Sequence, residues 1–270
     1  MSITKNIDNI THIPEDYKRP DPPCPKSVKI ELTGRCNYRC GFCALRMRDK
    51  QPKKADDMDL EFFKKITTDM YESGVREIGV FYLGESLMNP NLTIRAVEFL
   101  KKTLGMPYVF LTTNGSLLTE AVCHRLMAAG LDSLKFSINA ADSEQFEEVM
   151  GVKPKLYDDA LTNLRKAYEI RESVGYSTRL YASSIRYDGD QQARMEQLVS
   201  RFVRPYVDEW YELPLYSMGA VATEREAELG YRPTAGNQGR IGGLVKPLPC
   251  WSLFTEGHVR SDGGVSLCLE

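Results

Sequence analysis

Val28-Lys29-Ile30-Glu31-Leu32-Thr33-Gly34-Arg35-Cys36-Asn37-Tyr38-Arg39-Cys40-Gly41-Phe42-Cys43 runs from a short apolar segment into three cysteines spaced C-x3-C-x2-C. The first part reads as a strand, the second as a loop. Three thiols within eight residues can grip one metal centre while leaving room for a ligand the protein does not supply. Thiolate sets suit iron–sulfur clusters or zinc. Structural zinc wants a closed shell of protein ligands, and no further Cys or His lies nearby, since His12, His124 and His258 are all remote in sequence. Inert thiols, or a zinc site completed from elsewhere, are the other readings of the spacing alone.

Downstream of this loop, apolar runs and amphipathic helical patterns alternate. Asp59 caps an expected helix over 60–73 ended by Gly74, and a strand follows at 77–82. Asn89-Pro90 opens the next helix, with proline in its first turn. Strands at 108–111 and 134–138 bracket a helix that starts after Thr119 and ends at Gly130. Asp142 with Gln145 forms a capping-box pattern, and a longer helix is expected around 157–174. A strand near 180–185, a helix around 190–203 and a last strand near 206–211 complete the series. Repeated strand–helix units imply a parallel sheet with right-handed crossovers. Six units are too few to close an eight-stranded barrel, so the expected fold is α/β, an open partial (β/α)6 barrel. Chemistry in such folds sits at the carboxyl ends of the strands, which is where the cysteine loop begins.

The chain divides into a polar, proline-rich lead (1–27), the barrel core (28–212), a Gly/Pro-rich connector (213–249) and a tail (250–270) with two β-like runs around an Asp-Gly turn, a short C-terminal β-hairpin extension. At 270 residues, 42% hydrophobic and 27% charged, the composition is that of an ordinary globular protein. A net charge of −2 gives no reason to expect a nucleic-acid or anionic-membrane partner. No apolar run reaches the ~18 residues of a membrane span. The lead lacks an apolar signal-peptide core and the seven cysteines are clustered, so reduced thiols in the cytoplasm are expected. Cys123, beside Val122 and Leu126, reads as core, and Cys24 among prolines as incidental.

Cys36, Cys40 and Cys43 after a first strand, with Phe42 before the last cysteine, resemble the signature of the radical S-adenosylmethionine (SAM) superfamily. The resemblance implies a [4Fe–4S] cluster held by the three cysteines, with its open iron chelating the amino and carboxylate groups of S-adenosyl-L-methionine. Reductive cleavage of the sulfonium then yields a 5′-deoxyadenosyl radical that abstracts hydrogen from an unactivated C–H bond. Leu83-Gly84-Glu85-Ser86 resembles the family's Gly-Gly-Glu motif at the SAM amino group, with Leu83 in place of the first glycine. Thr113-Asn114-Gly115 resembles its Thr-Asn-Gly turn, Ser137 and Asn139 the polar pair near the SAM ribose, and Ser183 is a further residue of that kind. Taken singly, Gly84, Asn114-Gly115 and Ser137 read as ordinary turn and strand-end residues; their placement after successive strands gives them weight together.

Cys250, Gly263 and Cys268 resemble the opening of a SPASM/twitch extension, which implies an auxiliary [4Fe–4S] cluster. Four cysteines are needed for a fully ligated cluster and two are present here, so a truncated or lost continuation is expected, with an incompletely metal-binding tail or a purely structural hairpin as the alternatives. Arg35, Arg39, Arg46, Arg48, Lys53 and Lys54 around the cysteine loop would dock an acidic flavodoxin- or ferredoxin-like electron donor, or form a solvated face. With only about 27 residues before the first strand, too few for a fused peptide-recognition domain, the expectation tilts to a small-molecule substrate of sugar, cyclitol or nucleoside type. A peptide-modifying maturase is the alternative, and a non-catalytic iron–sulfur or zinc protein is the reading from another class. No catalytic acid, base or radical partner is named; Tyr82, Tyr211, Glu212 and Tyr216 lie where a substrate would reach.

Overall fold

The computed structural model describes residues 2–47, 52–187, 189–213 and 251–266. The strands are β1 (Ser27–Ile30), β2 (Glu77–Gly79), β3 (Tyr108–Thr113), β4 (Ser133–Ser137), β5 (Arg179–Ile185), β6 (Glu209–Leu213), β7 (Glu256–Val259) and β8 (Val265–Ser266). They form one sheet in the order β6-β5-β4-β3-β2-β1-β7-β8. All neighbours are parallel except β7 and β8, which pair antiparallel. The six-unit parallel series is thus an open, unclosed α/β barrel. The tail hairpin does not stand apart from it, because β7 lies alongside β1 with Lys29 opposite His258.

The helices are α1 (Ile3–Thr11), α2 (Leu60–Glu72), α3 (Pro90–Glu98), α4 (Glu120–Ala128), α5 (Ser143–Met150), α6 (Lys155–Val174), α7 (Gly189–Leu198) and α8 (Ser252–Thr255). Asp59, Asn89, Thr119 and Asp142 each accept a first-turn backbone N–H, as their positions in sequence require. Gln145 departs from the expected box: its side chain takes the N–H of Ala141 (2.7 Å) rather than that of Asp142. Strand alternation sends Ile30, Ile78, Val109, Leu111, Leu134, Phe136, Leu180 and Ala182 into the core that also holds Phe63, Ile94, Leu126 and Leu164 of the helices. The opposite strand faces line the barrel lumen.

Two boundaries differ from the sequence expectation. β2 ends at Gly79, three residues early; Val80 N still bonds Phe110 O (2.9 Å), after which the chain leaves the sheet. β6 begins at Glu209 instead of 206, because Arg204-Pro205-Tyr206 forms a 3-10 turn and Pro205 has no N–H to give a ladder. The connector over 214–249, Tyr216, Cys250 and Cys268 lie outside the described residues.

The lead contains a helix that composition did not announce. Ile3 and Ile10 of α1 are buried, and Ile3 packs with Tyr181 and Tyr211 while Ile7 and Leu213 flank them. Both ends of α1 are fastened with charges of the sign its dipole favours. At its start the Glu209 carboxylate accepts Ile3 N–H (3.0 Å), Ser2 Oγ (3.2 Å) and the Thr4 hydroxyl. At its end Lys26 Nζ donates to Asn9 O (2.7 Å) and His12 O (3.2 Å), and Thr255 Oγ1 donates to Ile10 O (2.6 Å). Truncating Ile10 to alanine is expected to lower stability by ~2–4 kcal/mol in urea denaturation. A change within ~0.5 kcal/mol, the level of an ordinary surface site, would mean that α1 does not dock.

Candidate active site

The loop after β1 is held from three sides. On one side it covers the end of α5: Arg39 N–H bonds Met150 O (3.0 Å) and Gly41 N–H bonds Val149 O (2.9 Å), satisfying carbonyls that a helix terminus leaves open. Tyr38 packs edge-on against Phe146 (5.2 Å between ring centres), and Cys40 Sγ lies 3.4 Å from Met150 Sδ. On the second side Asn37 meets the turn after β3, accepting from Asn114 Nδ2 (2.8 Å) and donating to Ser116 Oγ (2.9 Å). On the third, Arg35 makes a two-pronged pair with Asp57 (3.1 and 2.7 Å), which also accepts from Asn89 Nδ2 (2.9 Å). Arg35 is therefore spent on the fold and does not face the thiols as a free cation.

Leu83-Gly84-Glu85-Ser86 docks directly on this loop. A Cβ at Gly84 would stand 2.0 Å from Thr33 O and 2.9 Å from Arg35 O, so only glycine admits the approach. Gly84 N–H reaches Glu31 Oε1 (3.2 Å), and Glu85 N–H reaches Arg35 O (2.8 Å). The Glu85 carboxylate is buried and accepts three donors: Thr113 Oγ1 (2.9 Å), Asn114 N–H (2.8 Å) and Leu87 N–H (3.0 Å). Burial pushes this carboxyl up from its ordinary range, against the pull of those hydrogen bonds. Ser86 is buried too, with its hydroxyl on Val80 O (2.7 Å). Both side chains are spent inside the protein, which leaves the backbone of this stretch as its exposed chemistry.

Farther along the same edge, Ser137 and Ser183 are register partners on β4 and β5, and Ile138 N–H bonds Ser183 O (2.9 Å). Asn139 Oδ1 accepts Ile185 N–H (3.1 Å), and its carbonyl accepts the Tyr187 hydroxyl. The carboxyl edge thus gathers the cysteine loop, Gly84–Ser86 and Asn114 at one stretch and Ser137, Asn139 and Ser183 at another. Phe42 lies half-buried against the core. Glu31 is the edge residue that the motifs missed; its signal was a lone carboxylate at the end of an apolar strand.

Cys36, Cys40 and Cys43 are reduced, in no disulfide, and half-buried on one loop, with Cys43 N–H turned back to Cys40 O (3.1 Å). Burial pushes the Cys36 thiol up to about 12, so ligation of a cationic centre has to drive its deprotonation. Among the described residues no three His, Cys, Asp or Glu side chains converge closely enough to hold a single metal ion. Three thiols on one loop are a donor set suited to an iron–sulfur cluster. Cys123 is buried core, as expected, and Cys24 is half-buried against Gly74.

Below the edge the lumen sets charged and polar side chains among apolar ones such as Phe81, Phe110 and Leu213. Ser27, Lys29, Glu77, Tyr108, Thr112, Ser133, Lys135, Tyr211 and Glu256 line a cavity of about 180 Å3, closed from below by Ile3, Ile7 and Ile10 of α1 together with Trp251. Lys29 Nζ pairs with Glu256 Oε1 (2.5 Å), and Glu256 Oε2 meets His258 Nε2 (3.1 Å). His258 is fully buried and stacks on Tyr82 (5.0 Å). Glu212, by contrast, is engaged by Gln192.

Comparison with known proteins agrees with this geometry. The family model described as the Radical SAM superfamily matches residues 30–179, more than half of the chain. The GTP 3′,8-cyclase of Peptoclostridium acidaminophilum is 26% identical over 272 residues, covering 90% of this chain and 80% of that protein. The GTP 3′,8-cyclase of Chlorobaculum tepidum is 33% identical over 122 residues, 45% of this chain and 35% of the relative. Among solved structures, Streptococcus suis SuiB bound to S-adenosylmethionine superposes with a TM-score of 0.63 at 16% identity, over 91% of this chain and 60% of SuiB. The match therefore spans less than two thirds of the Chlorobaculum protein and of SuiB, and the likeness to SuiB is one of fold.

Replacing Gly84 by alanine is expected to cost ~1–3 kcal/mol through overpacking against Thr33 and to lower iron uptake on reconstitution. Gly257→Ala in β7, where a Cβ would meet Val28 at an ordinary 3.4 Å, is expected to stay within ~0.5 kcal/mol. Chemical denaturation with iron analysis checks both; equal behaviour of the two variants would contradict the close approach.

Proposed function

The chain belongs to the Radical SAM superfamily and is an enzyme of radical chemistry, and from that premise we propose that it cleaves S-adenosyl-L-methionine reductively to act on a small molecule held in the barrel lumen. Family membership implies a [4Fe–4S] cluster and SAM. When bound, they supply a 5′-deoxyadenosyl radical able to take hydrogen from an unactivated C–H bond. Cys36, Cys40 and Cys43 are the proposed cluster ligands, with Phe42 packed behind them. The backbone at Gly84, braced by Glu85 and Ser86, would meet the amino group of SAM, while Asn114, Ser137, Asn139 and Ser183 would line its nucleoside. Arg35 and Asp57 position the loop without touching a reactant.

The observation that carries this reading is the docking of Gly84 and Glu85 onto both the cysteine loop and the turn after β3, at the carboxyl edge of a barrel whose lumen holds a cavity. A chamber of about 180 Å3 bounded by α1 supports a small substrate. The relatives named GTP 3′,8-cyclase favour a nucleotide or nucleoside type within the class of sugar, cyclitol and nucleoside intermediates. We further propose that Cys250 and Cys268 contribute to an auxiliary [4Fe–4S] cluster of SPASM/twitch type. An acidic ferredoxin- or flavodoxin-like donor would supply the electron, in the cytoplasm; no helix among the described residues is long and apolar enough to cross a membrane.

Anaerobic reconstitution is expected to load ~four irons per cluster with broad charge-transfer absorbance. Reduction with SAM present is then expected to release 5′-deoxyadenosine. Cys40→Ala should abolish that release, whereas Cys123→Ala, a change in the core, should leave it measurable. Zinc in place of iron, or iron without SAM cleavage, would contradict the proposal.

A further inference from the structure

Lys135 is forced into the lumen by its place in β4: its neighbours Leu134 and Phe136 are buried in the sheet–helix core, so alternation sends the lysine the other way. There its ammonium lies 5.8 Å from the centre of the Tyr211 ring and opens on the cavity of about 180 Å3. The carboxylates lining that cavity are spent elsewhere. Glu256 holds Lys29 (2.5 Å) and His258 (3.1 Å), while Glu77 accepts Asn6 Nδ2 (2.8 Å) and Ser27 Oγ (2.8 Å). Among the described residues no carboxylate pairs with Lys135, and the one formal charge that acts on it is of like sign, that of Lys29. Enclosure, and secondarily Lys29, bring the ammonium down to about 7.

A cation placed so costs stability that methionine or leucine would not cost. Packing alone gives no reason for it, because its head meets the Tyr211 ring face and a cavity but, among the described residues, no carboxylate. Position gives one: Lys135 lies two residues, ~7 Å of strand, below Ser137 at the proposed SAM edge.

We infer that Lys135 anchors the acid group of the substrate, so that the molecule processed in the lumen is a small anion carrying a carboxylate or phosphoryl group some 7 Å below the cofactor edge. The inference rests on the proposed use of the lumen as substrate chamber. An oxyanion beside Nζ supplies the missing counter-charge, while the Tyr211 ring face lies 5.8 Å from Nζ.

Reconstituted protein titrated calorimetrically with inorganic phosphate, and separately with succinate, tests it and tells the two acid groups apart. One of these anions is expected to bind saturably to the wild type. Its affinity should fall roughly tenfold or more in Lys135→Met, the loss of a charge-assisted contact, and stay unchanged in Lys155→Met on the exposed face of α6. Lys135→Gln serves as the second variant should the methionine protein misfold, with thermal melting as the check on folding. Equal affinity in wild type and Lys135 variants, or no saturable binding of either anion to wild type, overturns the inference. Release of 5′-deoxyadenosine from SAM without added substrate, measured on the same samples, reports on the cofactor reading separately. Loss of that release with anion binding intact would sink the cofactor reading and leave the anion site standing.

Discussion

The structure depends on a contact that only glycine permits. Gly84 brings the chain after β2 to within van der Waals limits of the backbone at Thr33 and Arg35, where any side chain would collide with Thr33 O. That approach delivers Glu85 into a buried position at the end of β3, where three donors from the protein meet its carboxylate. A buried carboxylate without such partners is costly, so the three hydrogen bonds are what make the position tolerable. One short segment thereby fixes the ends of β1, β2 and β3 relative to one another, and with them the cysteine loop. What surrounds the loop holds it in place: α5, Asn37–Asn114 and Arg35–Asp57 each restrain a different part.

The same barrel solves two problems at once. Its outward strand faces supply the apolar core against the helices, and its inward faces, with α1 across one end, line a chamber of mixed charged, polar and apolar side chains. Glu209 and Lys26 hold α1 at its two ends with charges that also suit the helix dipole. The edge above carries the groups proposed for cofactor binding, and the lumen below carries Lys29, Glu77, Lys135, Glu256 and His258.

Much of this was legible in the sequence, and the parts that were not share a cause. Caps at Asp59, Asn89, Thr119 and Asp142 and the motifs at Cys36–Cys43, Gly84–Glu85 and Asn114 are local, so sequence spacing reports them directly. Apart from Tyr211, the lumen residues were missed because a polar strand face looks identical whether it meets water or the inside of a barrel. Lys29 and Lys135 alternate with apolar neighbours as any half-exposed strand would. The helix α1 was missed for a related reason. Its isoleucines at 3, 7 and 10 follow helical spacing, but nine residues are too few for propensity to decide, and docking on the sheet decides instead. Where Glu85 and Ser86 would spend their side chains was also beyond the motif, since it depends on how close the backbone comes.

Cys36, Cys40 and Cys43 are proposed to hold a cluster whose open position takes SAM. Electron paramagnetic and electron–nuclear double resonance of the reduced, reconstituted protein, with SAM carrying an isotopic label in its carboxylate, addresses it most directly. A hyperfine coupling between the label and the cluster spin, absent from Cys40→Ala, is the predicted result. A cluster spectrum unchanged by SAM, with no coupling to the label, would contradict the account.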